Sequence, residues 1–271
     1  MDTTSEYSNE EKVQTLIISA IAVIISIIIS FVVVGQISKK LENYEKAIRI
    51  VNEEQFIYAI DTQYSGGLFG SGNVHMTPVT DERLSGSYGA IIDKVERYTR
   101  HTRQVCNSTD SKGKCTSYRT EVYYTWDYSH TNTNISSTLI FMGKEFSTSV
   151  VGVKESQSLD LSVSINQSLS RNVSWNYLYD QSVYFNNVGD LRHSFYFVPV
   201  DFYGNMYIRS DSNGLKNEYG ELCGCQITVE SPDSIIASEK KTKFFMQFVF
   251  PFLLPTIVTV IAVIYFYNND R

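Results

Sequence analysis

The side chains best suited to chemistry in this 271-residue chain are its four cysteines: Cys106 and Cys115, which flank NSTDSKGK, and Cys223 and Cys225 in the run CGC. Four cysteines allow three disulfide connectivities. A Cys106–Cys115 bridge suits a hairpin closed by a polar turn, and it leaves Cys223 and Cys225, which stand close for an ordinary bridge with each other. The competing chemistry is a four-thiolate zinc site, since C-x-C offers two ligands. The gap between Cys106 and Cys115 departs from the usual ~2–4 residues of such sites. The expectation is disulfides, no metal and no cofactor, with a cytoplasmic-facing zinc-binding module as one alternative.

Other reactive residue types lack a pattern. His75, His101, His130 and His193 are scattered, and none falls in an H-E-x-x-H spacing. There is no G-x-S-x-G, no Cys–His signature and no carboxylate pair spaced for acid–base work. GGLFGSGN, starting at Gly66, lacks the Lys-Ser/Thr of a P-loop and the G-x-G-x-x-G spacing, and it reads as a flexible loop. The expectation is a protein that is not an enzyme.

Two uncharged apolar runs position everything else. Thr15 to Gly35, as a helix rising ~1.5 Å per residue, covers the ~30 Å hydrocarbon core of a bilayer. It is longer than the ~7–15 residue apolar region of a signal peptide and follows the acidic MDTTSEYSNEEK, so it reads as an uncleaved anchor. Phe244 to Tyr267 is the second run, with aromatic residues at both ends as in membrane-interface belts. Ala22, Ser26 and Ser30 recur every four residues and form a face that lets another helix approach closely; the alternative is that each serine bonds its own backbone. Pro251 and Pro255 each remove a helical donor and should bend the second run, as fixed packing geometry or as a gate hinge.

The resulting order is a tail (1–14), a transmembrane helix (15–35), an amphipathic helical stalk (36–55), a β-rich domain (56–243), a second transmembrane helix (244–267) and a short tail (268–271). In the stalk, Ile37, Leu41, Tyr44, Ile48 and Val51 follow a heptad-like spacing, which serves either a partner helix or the chain's own domain. The first helix should continue to about Glu54.

The middle is strand-like, with β-branched and aromatic residues in short runs broken by Gly, Asn, Asp and Ser. Its sharpest piece is VERYTRHTRQVC, a polar turn, then CTSYRTEVYYTWD. Placing Cys106 directly opposite Cys115 puts Arg100 opposite Glu121, Tyr98 opposite Tyr123, Arg97 opposite Tyr124, Val95 opposite Trp126 and His101 opposite Thr120. Further strands are expected at Thr138–Met142, Leu159–Ile165, Ser182–Phe185, Phe195–Val200, Met206–Arg209 and Gln226–Val229, with turns at Gly143-Lys144, Asn186-Asn187 and Tyr203-Gly204. The fold class is therefore a membrane-anchored, mainly β protein, with an antiparallel β-sandwich or open barrel flanked by two transmembrane helices and a short helical stalk.

A net charge of −6 without a long basic cluster gives no reason to expect nucleic acid. Lys39, Lys40, Lys46, Arg49, Lys240, Lys241 and Lys243 flank the middle, which by the positive-inside rule would put it in the cytoplasm. A middle this long is translocated largely regardless of charge, and its Ser/Thr/Asn/Tyr-rich, cysteine-bearing composition suits an exoplasmic setting at the plasma membrane with cytoplasmic termini. The four N-x-S/T sequons, at Asn107, Asn134, Asn166 and Asn172, are what a chain this rich in Asn, Ser and Thr produces by chance.

ERYTRHTR (Glu96 to Arg103), YYTWD (Tyr123 to Asp127) and YFYNNDR (Tyr265 to Arg271) resemble segments of uncharacterised two-span membrane proteins of Gram-positive bacteria and their phages. That resemblance implies a bacterial envelope setting and transfers no site. The functional expectation is a binding or assembly module at the cell envelope whose partners are the bilayer and another protein or a second copy of itself. The alternative from a different class is a subunit of an oligomeric two-span channel, in which the small-residue face and the heptad seam join copies.

Overall fold

The computed structural model describes residues 9–269 apart from Lys112, Ser182, Phe185 and Cys223, with side chains from Val13 to Tyr265. Two helices, each long and apolar enough to cross a membrane, flank a β-rich region that curls as a half-barrel. Helix α1 is Asn9–Lys46. It stops short of the expected Glu54 because Ile48 and Ile50, both β-branched, form strand β1 (Ile48–Ile50), which runs parallel to β2 (Gly67–Met76). Asn52 then accepts a hydrogen bond from the Gln55 backbone N–H (3.0 Å) and caps α2 (Glu53–Asp61).

Strands β3 (Ala90–Thr109) and β4 (Cys115–Ile135) form one very long hairpin. Short strands follow: β5 (Thr138–Phe141), β6 (Lys144–Ser147), β7 (Val151–Val153) and β8 (Gln157–Ser158). The strand expected over Leu159–Ile165 is instead the helical turn α3 (Leu161–Ser164). The Asp160 side chain accepts from the Ser162 N–H and starts a turn rather than a ladder. Strands β9 (Val173–Ser174), β10 (Tyr177–Tyr179) and β11 (Leu191–Val198) follow; of the strand expected at Ser182–Phe185, both end residues lie outside the described residues. Strands β12 (Asp201–Asp211), β13 (Gly214–Lys216) and β14 (Cys225–Thr228) precede α4 (Pro232–Phe244), a π-helical turn (Phe245–Val249) and α5 (Phe250–Asn269).

Two sheets result. One runs β6-β5-β2-β12-β14-β7, with β1 beside β2 and β13 beside β12; the other runs β4-β3-β11-β10-β9, with β8 beside β11. Most pairs are antiparallel, while β1 with β2 and β14 with β7 are parallel. Phe56, Leu68, Met76, Phe141, Met206 and Ile227 fill the core under the first sheet, and Leu84, Ile91, Leu161, Leu178 and Phe195 fill the second.

The glycine-rich stretch expected to be a flexible loop is central strand β2. A Cβ at Gly70 would come within 2.8 Å of Phe56, so glycine here lets the core approach the backbone. Tyr203-Gly204 likewise is no turn: Gly204 sits inside β12, where a Cβ would lie 2.5 Å from Ile227.

Candidate functional site

Strand β11 accompanies β3 only as far as the pair Leu191 with Arg97. The last tie to the body is a two-way backbone contact, Tyr98 N–H to Asp190 O and Gly189 N–H to Tyr98 O, both 2.9 Å. From Thr99 to Thr109 the hairpin pairs only with itself among the described residues, and at ~3.3 Å per residue it projects roughly 35 Å. Among the described residues, the outer edge of β4 has no strand partner along this sheet.

The ladder pairs Arg100 with Tyr124, Tyr98 with Trp126, Arg97 with Asp127, His101 with Tyr123 and Arg103 with Glu121. The expected pairs are thus displaced by three residues, and Val95 stands opposite His130. The cause is at the tip: Cys106 pairs with Tyr118 and Cys115 with Thr109, with register shifts on either side of Ser108. The two cysteines meet diagonally, with Cα atoms 5.7 Å apart, and form a disulfide. Because side chains alternate with period two, this odd displacement moves the β4 residues from Tyr118 to Tyr128 to the other face relative to β3, while from His130 onward a bulge makes the displacement four and restores the face.

The observed register gives the arm two unlike faces. One carries Tyr98, Trp126, Tyr124, Val122 and Tyr118 together with Arg100 and Gln104; the other carries Arg97, Asp127, His101, Tyr123, Arg103 and Glu121. Contacts agree with this sorting. Tyr98 stacks on Tyr124 (5.7 Å between centroids) and packs on Trp126 (5.1 Å), which meets Tyr179 of β10 edge-on. Arg192 is sandwiched at the root, 4.7 Å from the Trp126 ring and 3.9 Å from the Tyr177 ring, while its Nε donates to Glu96 at 2.7 Å. On the ionic face, His101 stacks on Tyr123 and its Nε2 lies 2.6 Å from Asp127 Oδ2, and Arg103 Nε donates to Glu121 at 2.7 Å. The aromatic face is open: Tyr118 is 66% and Tyr124 47% exposed.

Beneath the root lies a buried charge network that sequence reading missed. Asp93 of β3 and His193 of β11 are 2% and 7% exposed. His193 Nδ1 lies 2.9 Å from Asp93 Oδ1, and Arg83 Nη1 donates to Asp93 Oδ2 at 3.0 Å. Arg83 is held from the other side by Asp81 at 2.8 Å. Burial alone would raise the Asp93 pKa, but the His193 hydrogen bond and the His193 and Arg83 charges outweigh it and hold the carboxyl below its ordinary range. Burial likewise works to lower the His193 pKa, and Asp93 and Asp180 outweigh it and raise it. His193 Nε2 faces Asp180 Oδ1 at 3.0 Å as an ion pair rather than a directed hydrogen bond. Both ring nitrogens are therefore engaged by carboxylates, an arrangement that braces the root and leaves neither nitrogen open as a base. The signal was present in sequence: Asp93 alternates with Ile91 and Val95, and His193 with Leu191 and Phe195, so each polar residue sits in an apolar-face position and requires a buried partner.

The other singled-out residues fall as follows. Cys225 is buried at the start of β14, beside Val151, and Cys223 lies outside the described residues. Ala22, Ser26 and Ser30 are buried, and the helix packed on them is the chain's own second span; Ser26 Oγ donates to its own helix at Val23 O (2.8 Å), as the alternative had it, with Pro251 O, the carbonyl that Pro255 frees by lacking an N–H, at 3.3 Å. One further contact, Ser19 with Thr259 at 2.9 Å, continues this antiparallel seam. Pro251 follows the π-helical turn and Pro255 lies within α5.

Of the heptad-like residues, Ile37, Leu41 and Tyr44 are buried within the chain, Tyr44 against Phe69 and Tyr207, whereas Ile48 and Val51 are exposed. Lys40 joins Glu239 at 2.8 Å and Glu218 at 3.4 Å, so α1 and α4 are tied where they meet the domain. Among the described residues no cluster of His, Cys, Asp and Glu suits a metal ion. Compared with family models, with curated proteins and with solved structures, the chain matches none.

Proposed function

We propose that this protein is a membrane-anchored binding or assembly module whose working part is the aromatic face of the projecting β3–β4 arm. The observation that carries the reading is the arm itself. A two-stranded ribbon beyond its sheet is marginal in water, yet this one exposes Tyr118, Val122 and Tyr124 together on one face and is locked at both ends, by the Arg192–Trp126–Tyr98 stack and by the Cys106–Cys115 bridge. Exposed Tyr and Trp on a rigid support, bordered by Arg, is the composition of recognition surfaces. The two apolar helices would anchor the β-rich region that bears the arm to the bilayer, and the disulfide fits an exoplasmic domain at the plasma membrane with cytoplasmic termini.

Against the channel alternative, in which the small-residue face and the heptad seam join copies and the proline-bent span lines a pore, the small-residue face packs on α5 and Tyr44 of the seam packs on Phe69 and Tyr207. The reading is tested by native electrophoresis of mildly solubilised membranes. The variant Tyr118→Ser/Val122→Ser/Tyr124→Ser should reach the membrane in normal amount and migrate as a smaller assembly than wild type. Identical migration would overturn the reading.

A further inference from the structure

The hairpin turn between β9 and β10 carries a residue that its backbone does not suit. Ser174 pairs with Tyr177, so Trp175 and Asn176 make a two-residue turn, and both are left-handed, with φ of 51° and 60°. Asparagine tolerates that conformation, and Asn176 also anchors the turn: its Oδ1 accepts from the Leu161 N–H at 2.9 Å and its Nδ2 donates to Leu159 O at 3.0 Å, which clamps the turn onto the segment entering α3. Trp175 gains nothing comparable. A bulky side chain at positive φ is strained, and this one is 90% exposed, with no hydrogen-bond or ring partner among the described residues.

Beside the indole lies an open cavity of about 410 Å³ whose other walls, apart from Val173, are polar: Ser158, Asp160, Ser162, Ser174 and Asn176. The Asn176 clamp explains why they meet, since Ser158, Asp160 and Ser162 interleave with the two residues it holds, Leu159 and Leu161. Asp160 uses Oδ1 to accept from the Ser162 N–H at 2.9 Å and from the Ser162 hydroxyl at 2.7 Å, and these bonds hold its carboxyl below the ordinary range. Its Oδ2 has no partner among the described residues.

The geometry points to a carbohydrate site, in which Trp175 stacks on the C–H face of a pyranose with equatorial substituents while Asp160 Oδ2 and the serine hydroxyls bond the hydroxyls on its edge. An indole face is negative, and the axial C–H bonds of such a ring present a flat, weakly positive surface to it. The sugar's edge offers donors and acceptors together, matched here by a carboxylate that accepts and hydroxyls that do both. Acyl chains would leave those groups unpaired, and the residues packed on Tyr44 of α1, Phe69 and Tyr207, belong to the first sheet, whereas this turn belongs to the second. A protein hot spot sets its anchors in a well-packed, desolvated pocket, whereas here one ring borders hydroxyls and a carboxylate in an open one. The inference is independent of the arm.

The test is saturation-transfer NMR of the full-length chain in phosphatidylcholine nanodiscs, with cellotriose and chitotriose as probes. Wild type should transfer to the axial ring protons of at least one of them. Trp175→Asn should lose about 10-fold or more in affinity, and its thermal unfolding midpoint should equal or exceed that of wild type, because asparagine suits the left-handed turn. Asp160→Asn, which still caps α3, should bind about 5- to 10-fold more weakly. Absence of transfer from wild type to either sugar would overturn the inference, as would undiminished transfer from Trp175→Asn. A lowered midpoint in Trp175→Asn would make the indole a packing residue and overturn it likewise. A smaller assembly for Trp175→Asn on native electrophoresis, without sugar binding by wild type, would overturn it and give the ring to a protein partner.

Discussion

Arg103 Nε lies 2.7 Å from Glu121 Oε2 directly across the arm, on the face opposite Tyr118 and Tyr124. This pair reports the register, which decides which side chains the arm presents to a partner. Both groups are substantially exposed, so the coupling between Arg103→Ala and Glu121→Ala should be about 0.2–1 kcal/mol. It is measured by hydrogen exchange of arm amides in a double-mutant cycle. Arg100→Ala, which stands opposite Tyr124, should show no coupling to Glu121→Ala.

The Asp93–His193 network should make stability depend on pH in two windows. His193 has a folded-state pKa raised above its unfolded value, so its contribution is full below about pH 6.5 and is lost as pH rises through the folded-state value. Asp93 has a lowered pKa, so its contribution is full above about pH 3.9 and is lost as pH falls through the folded-state value. Chemical denaturation across pH, wild type against His193→Gln, should show the alkaline decline only in wild type. Removing one partner of a buried ion pair is severe, and Asp93→Ala should cost about 3–5 kcal/mol.

Reduction of Cys106–Cys115 should loosen the arm and spare the body. In the chain-entropy account a loop of this length, with a sequence separation of 9, is stabilised by about 3 kcal/mol. The tip is remote from both cores, so exchange should accelerate at Val105 and Tyr118 while Val95 and Leu178 keep their protection. Equal acceleration in the body would contradict the arm's independence.

Gly70→Ala should destabilise the first core by about 1–3 kcal/mol, because the added methyl meets Phe56 and Phe141. Thermal unfolding of the full chain in detergent checks this. A neutral result would mean the helix α2 side of the core is loosely packed.

The parts of the fold legible in sequence were those set by long uniform patterns. The charge-free run from Thr15 requires a helix wherever it is placed, and the β-branched and aromatic runs either side of NSTDSKGK read as the two strands of a hairpin. Cooperative details were not legible. The β3–β4 register depends on where the extra residues beside Ser108 are absorbed, which no pairwise preference of Arg, Glu and Tyr specifies. Ile48 and Val51 continued a helical spacing, yet the open edge of β2 captured the segment as β1. Gly66 to Asn73 reads as a loop by composition because the large side chains that need its missing Cβ atoms, Phe56 and Phe141, lie far away in sequence.

The central claim is that the aromatic face of the arm, and not its ionic face, meets a partner. Photo-crosslinking in intact cells tests it most directly, with a photoreactive residue placed in turn at Tyr118, Val122 and Tyr124 on one face and at Arg103, Glu121 and Tyr123 on the other. The account expects adducts of one size from the first three positions and none from the second three. Adducts from the ionic face alone, from both faces equally, or from neither would contradict it.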